Sequence, residues 1–62
     1  MDRESIMAMD PNILLSVINM KLRDTFSSLK ELCEDIDISE KEICEKLNTI
    51  GCTYIREINQ FR

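Results

Sequence analysis

The sequence predicts a mainly α fold: a three-helix, helix-turn-helix-like domain closed by a short C-terminal β-hairpin, in the order of a winged helix. Two observations carry this. Residues 27–51 contain two Ser-x-x-Glu capping boxes, Ser28 with Glu31 and Ser39 with Glu42, each followed by an apolar stripe and separated by a short link. Upstream, Asp10-Pro11 marks another helix start, an acidic N-cap followed by proline at a position where its missing N–H is not needed. A chain of 62 residues has room for one domain with one small core. At that length only about 60% of the unfolded surface is buried on folding.

Residues 1–8 carry no periodic apolar pattern and are expected to be a flexible extension, although Ile6 and Met7 could dock locally. The domain itself is placed at residues 9–62. A helix is predicted over residues 11–25, capped by Asp10. At 100° per residue, Leu14, Leu15, Ile18 and Leu22 form one apolar face, with Phe26 just beyond its end. Asn12, Ser16, Asn19 and Arg23 form a narrow polar stripe, and a third sector holds Ile13, Val17 and Met20 beside Lys21 and Asp24. The apolar arc is roughly twice the ~100° width that one core requires.

The second helix starts at the Ser28/Glu31 box and turns Leu29, Leu32, Cys33 and Ile36 inward. The link around Asp37 contains no glycine, so Asp37 is the residue expected to take a left-handed conformation. Ser39 and Glu42 start the third helix, with Ile38 and Ile43 at the positions of a hydrophobic staple and Ile43, Cys44, Leu47 and Ile50 as its stripe. Gly51 stands where a left-handed residue ends the helix and brings Cys52 over Leu47. Tyr54, Ile55, Ile58 and Phe61 follow without a helical stripe, which predicts a hairpin turning near Arg56-Glu57.

The net charge is −4, and residues 27–51 account for it, with seven acids against three lysines. The outward face of the third helix holds Lys41, Glu42, Glu45, Lys46, Asn48 and Thr49 beside Glu40, with no arginine. A reading helix in the major groove needs cations for phosphate, and arginine is the commonest specific base reader. Nucleic acid is therefore disfavoured as a partner. Arg56 and Arg62 of the hairpin are the residues that could reach a phosphate backbone.

The chain has no histidine and no Cys-x-x-Cys pair, so Cys33, Cys44 and Cys52 lack the four-ligand set of a structural zinc site. Free thiols suit a reducing compartment. The longest apolar run, Ile13-Leu14-Leu15, is far short of a membrane span, and a cytoplasmic protein is expected. No glycine-rich phosphate loop or nucleophile-base pair is present, so no enzyme, cofactor, metal or small-molecule substrate is expected.

Asp10-Pro11, Leu14-Leu15-Ser16, Asn19, Leu22-Arg23-Asp24, Leu32-Cys33, Gly51, Tyr54 and Asn59-Gln60-Phe61 occur in a familiar order and spacing. Together they resemble a family of small bacterial proteins known as domain-of-unknown-function family 4250. The resemblance covers about residues 9–62, and Leu-Arg-Asp and Asn-Gln-Phe are its more specific parts. The family often has an aromatic residue after the glycine, where this chain has Cys52. Ile55 and Ile58 also replace residues that are usually more polar. The resemblance implies a bacterial cytoplasmic protein and brings no activity with it.

The function expected from the residues is a non-catalytic protein–protein interaction module. Its partner is another protein or itself, as a homodimer through the 11–25 helix. The candidate interface is Ile13, Val17, Met20, Ile55 and Ile58, because a small monomer rarely leaves a contiguous apolar patch uncovered. The polar stripe Asn12, Ser16, Asn19 and Arg23 is a second candidate surface. The alternative is a small winged-helix DNA-binding regulator.

Overall fold

A computed structural model describes residues 3–62 as four helices and a two-stranded antiparallel hairpin. They run α1 (Arg3–Ala8), α2 (Pro11–Asp24), α3 (Leu29–Ile36), α4 (Glu40–Asn48), β1 (Tyr54–Ile55) and β2 (Gln60–Phe61). The three predicted helices and the hairpin are present, and α1 is an addition to them. Residues 3–8, expected as a flexible extension, form a helix whose Ile6 is fully buried in the common core. The physical reason is that one buried aliphatic side chain and polar contacts to distant residues hold this helix, and one side chain cannot create a periodic pattern. Residues 1 and 2 of the expected extension lie outside the described residues.

α2 is the central element and packs on α3, α4 and β2. Its start follows from Asp10, whose carboxylate accepts the N–H groups of Asn12 at 2.9 Å and Ile13 at 3.3 Å. Leu14, Ile18 and Leu22 are its buried face, with Leu15 and Phe26 half-buried against the same core. Leu29, Leu32, Cys33 and Ile36 of α3 and Ile43 and Leu47 of α4 complete the core from the other side, joined by Ile38, Phe61 and Ile6. Among the described residues, no buried side-chain nitrogen or oxygen lacks a hydrogen-bond partner.

The two capping boxes differ in execution. Ser39 accepts the Glu42 N–H at 3.2 Å and Glu42 accepts the Ser39 N–H at 3.4 Å, a complete box at the head of α4. At α3, Ser28 accepts the Glu31 N–H at 3.2 Å, but the Glu31 carboxylate turns to Ser27. It takes the Ser27 hydroxyl at 2.7 Å and the Ser27 N–H at 3.3 Å. Two donors on Ser27, its N–H and its hydroxyl, match the two carboxylate oxygens of Glu31.

Asp37 ends α3 in the left-handed conformation, with φ 57° and ψ 45°, so that both its own N–H and that of Ile38 reach the Cys33 carbonyl. Gly51 closes α4 with φ 77°. Its N–H bonds Asn48 O at 3.0 Å and the Cys52 N–H bonds Leu47 O at 3.1 Å, the paired bonds of a Schellman motif. The hairpin pairs Tyr54 with Phe61 and Ile55 with Gln60. Its loop spans residues 56–59 and closes through Asn59, which has φ 53°, so it is longer than the turn expected near Arg56-Glu57. Asparagine tolerates this left-handed region better than most residues.

Candidate functional site

The polar residues scattered along the sequence converge where the hairpin meets α2. Thr53 and Arg62 exchange backbone hydrogen bonds at 2.8 and 2.9 Å, so the adjacent Tyr54–Phe61 pair is the non-bonded pair of the ladder. The Phe61 N–H and C=O therefore point away from β1, towards α2. Asn19 meets both of them: its Oδ1 accepts the Phe61 N–H at 2.8 Å and its Nδ2 donates to Phe61 O at 3.0 Å. A side-chain carboxamide thus stands in for the next strand and closes the β2 edge.

Asn59 carries the second half of this junction. Its Nδ2 donates to Leu22 O at 2.8 Å and Phe26 O at 3.1 Å, two carbonyls near the end of α2 that have no helical N–H to accept. Its Oδ1 accepts the Tyr54 hydroxyl at 2.6 Å. That hydroxyl in turn accepts the Leu29 N–H at 3.4 Å, which joins the head of α3 to the junction. Gln60 Nε2 donates to Asn19 O at 3.0 Å and Asn59 O at 2.8 Å. Beneath these bonds Phe61 is buried, with its ring 5.4 Å from that of Tyr54.

The stripe Asn12, Ser16, Asn19 and Arg23 is therefore not one surface. Asn19 is half-buried and saturated by Phe61, because a residue at the centre of α2 faces β2 rather than water. Asn12 and Ser16 are exposed. Arg23 bonds its neighbour Asp24, at 3.0 and 3.2 Å, a local tether in open solvent. The arginine holds the Asp24 carboxyl below the usual carboxylate range.

The apolar stripe of α2 is left largely open. Ile13 is 57% exposed and Met20 49%, with Val17 half-buried between them at helical spacing. On the hairpin, Ile58 is 43% exposed and Ile55 half-buried opposite Gln60. Phe61 turns into the core and Ile6 enters it elsewhere, so neither covers Ile13 or Met20.

On α4, two of the outward-facing charged residues are taken up by α1. The Arg3 guanidinium donates to both Glu42 carboxylate oxygens, at 2.5 and 2.6 Å. One turn further along α4, Lys46 Nζ donates to Met7 O at 3.0 Å. The Arg3 bond is the main reason that the Glu42 carboxyl sits below the usual range. Glu42 thus both caps its own helix and clamps α1. Lys41 and Glu45 remain exposed.

Burial disfavours the thiolate at two of the three cysteines, Cys33 and Cys44. Burial pushes Cys33 up to about 11, and burial likewise raises Cys44, with Glu40 adding to both. Cys33 lines an open concavity at the Asp37–Ser39 link that also holds Glu34 and Glu40. Acidic neighbours disfavour a thiolate there. Among the described residues, no group of three or more Cys, Asp or Glu is placed to hold a metal ion, and no helix is long and apolar enough to cross a membrane.

Asp10, Ser28 and Ser39 cap the starts of α2, α3 and α4 and Gly51 follows α4 with a positive φ, whereas Asn19 and Tyr54, which the sequence did not join, meet in one junction. The available signal was the co-occurrence of Asn19, Tyr54 and Asn59-Gln60-Phe61 among the residues that carried the family resemblance. No curated protein and no solved structure matches the chain. The side chains that build the α2–hairpin junction lie within residues 8–61, which match the model of the family described as Domain of unknown function (DUF4250), and the chain belongs to that family.

Proposed function

We propose that this chain is a non-catalytic protein-interaction module that uses α2 as its contact face, in its simplest form as a homodimer. One observation carries this reading: Ile13 and Met20 stay 57% and 49% exposed on a helix whose opposite side already fills the core. Val17 lies between them, and the hairpin that bears Ile55 and Ile58 docks at Asn19, next to Met20 in the chain. Pairing such stripes across a two-fold axis buries the same patch on both copies. Small domains also gain stability by associating.

Analytical ultracentrifugation tests the reading. Wild type is expected to reach a dimer mass with rising concentration. Ile13→Asp, at an exposed position, should remain a monomer with unchanged helical circular dichroism, and Val17→Asp should behave alike. A wild type that stays monomeric at every concentration would remove the homodimer. If, in addition, no protein that co-purifies with wild type is lost on Ile13→Asp, the interaction reading fails too.

A DNA-binding regulator is the weaker reading. The α3–α4 pair has the order of a helix-turn-helix, but α1 takes up Glu42 and Lys46 on the face that would enter the groove. The remaining charges there, Glu40, Lys41 and Glu45, sum to net negative.

A further inference from the structure

α1 sits on α4 in the manner of a ligand. Three contacts of different chemistry hold it: Ile6 fills a fully buried position, Arg3 one turn earlier bonds both oxygens of Glu42, and Lys46 donates to Met7 O close to the C-terminal end of α1. On the receiving side, Glu42 and Lys46 stand four residues apart on α4, on the same side of the helix as the buried Ile43 and Leu47. An acid at one end and a base at the other give the site a direction. The acid takes a cation in the first turn of the docked helix, and the base takes the free carbonyls of its last turn.

The receiving residues belong to the family domain, whereas the occupant does not. The family match covers residues 8–61, so Glu42, Ile43, Lys46 and Leu47 lie inside it and Arg3, Ile6 and Met7 outside. The occupant is also weakly held. A six-residue helix does not persist by itself, its two polar clamps are exposed, and only Met9 and Asp10 separate it from α2. If α1 lifts away, it leaves an apolar hole of the size of one isoleucine side chain between a carboxylate and an ammonium group.

We infer that this hole is a docking site for a short amphipathic helix of a partner protein, one that carries Lys or Arg one turn before a branched aliphatic residue, and that α1 is its built-in competitor. The mode is helix-in-groove recognition, with the aliphatic side chain as anchor and the charges fixing polarity. A competitor in the same chain lowers the apparent affinity for the partner by the fraction of molecules whose site is open. The site uses residues other than the α2 stripe, so its test is independent of the dimer experiment.

The probe is a fluorescent alanine-rich helical peptide that carries the Arg3–Met7 sequence at its centre, titrated by anisotropy into the full chain. Ile6→Ser, which empties the site while leaving α4 intact, should bind the peptide at least about tenfold more tightly than wild type. Glu42→Lys in the Ile6→Ser chain should abolish that gain, and a peptide with the Arg3 position changed to Glu should restore it. Should Ile6→Ser fail to fold by circular dichroism, Arg3→Ala, at an exposed position, replaces it with an expected gain of about threefold. A folded Ile6→Ser or Arg3→Ala chain that binds no better than wild type overturns the proposal, as does indifference to the charge reversal. A wild-type dimer that dissociates on Arg3→Ala but not on Ile13→Asp also overturns it, because the occupant would then be α1 of a second copy.

Discussion

The two ends of the chain dock on the same three helices by different physics. The C-terminal hairpin is fastened to α2 through neutral carboxamides, Asn19, Asn59 and Gln60, whose bonds are half-buried; those of Asn19 and Asn59 reach main-chain groups that have no ladder partner. The N-terminal helix is fastened to α4 by one buried side chain and by charged groups in contact with water. A buried polar network costs a great deal to break, since every partner left behind is desolvated and unsatisfied. Exposed ion pairs cost little to break because water replaces them. The contacts that hold the hairpin are thus costly to break, and the polar contacts that hold α1 are cheap to break.

The largest effects are expected at the hairpin. Asn59→Ala strands Leu22 O, Phe26 O and the Tyr54 hydroxyl together and should cost about 2–3 kcal/mol in urea unfolding. That is a large share of the roughly 3–5 kcal/mol available to a domain of this size. Asn59→Gly keeps the left-handed turn but loses the same bonds, so it should be nearly as destabilising. If Asn59→Gly proves close to wild type, the network is worth less than its geometry implies and the contrast between the two ends narrows.

Two fully buried isoleucines sharpen the comparison. Ile43→Ala leaves a cavity inside the three-helix core and should cost about 3–4 kcal/mol. Ile6→Ala removes the same atoms, but its cost cannot exceed the docking free energy of α1, because α1 can simply detach; about 1 kcal/mol or less is expected. Equal losses for the two variants would mean that α1 is as integral as α4. Native-state hydrogen exchange provides a second readout, with the residue 3–8 amides opening well before those of α2.

The contrast explains what could be read from the sequence. Helix starts, helix ends and core stripes are local patterns, and Asp10, Ser39 with Glu42, and Gly51 sit where their neighbours along the chain dictate. The junction is non-local. Asn19 and Phe61 are far apart in sequence, and a carboxamide on an amphipathic helix reads as solvated until the strand that it pairs with is placed beside it. α1 escaped for a different reason: Ile6 alone marks its inner face, and Arg3 finds Glu42 across 39 positions. Of the candidate interface, the sequence identified the excess apolar arc of α2 and could not say that the hairpin would leave Ile13 and Met20 open.

The two left-handed helix ends give the next smaller effects. A Cβ on Gly51 would meet nothing within 4 Å, so substitution there meets backbone strain without a clash. Gly51→Val should therefore cost about 1–2 kcal/mol, measured as a lowered midpoint in thermal or urea unfolding. Asp37 holds the same conformation at the end of α3 with a side chain attached. Asp37→Gly is expected to raise stability by about 0.5–1 kcal/mol. A loss at Asp37→Gly would mean that its side chain contributes more than the strain it imposes.

Acid should separate the two ends without any mutation. The Glu42 carboxyl is lowered in the fold chiefly by its bond to Arg3, against an ordinary value of 4.5. A lowered carboxyl contributes stability that is present above its unfolded pKa and fades as the pH falls through the folded one. Below about pH 4.5 the clamp on α1 should loosen. Glu31, lowered by Ser27, and Asp24, lowered by Arg23, fade in the same direction but belong to local helix ends. The carboxamides of the hairpin junction carry no titrating proton. Carbon chemical shifts followed from pH 7 to pH 3 should therefore show residues 3–8 losing helicity first, while Asn19, Asn59 and Phe61 hold their positions. Glu42→Gln should remove the pH dependence of α1, because an amide accepts from Arg3 in the same way at both ends of that range. If α1 and the hairpin are released together on acidification, the N-terminal helix is bound into the cooperative core and cannot act as a removable occupant of its site.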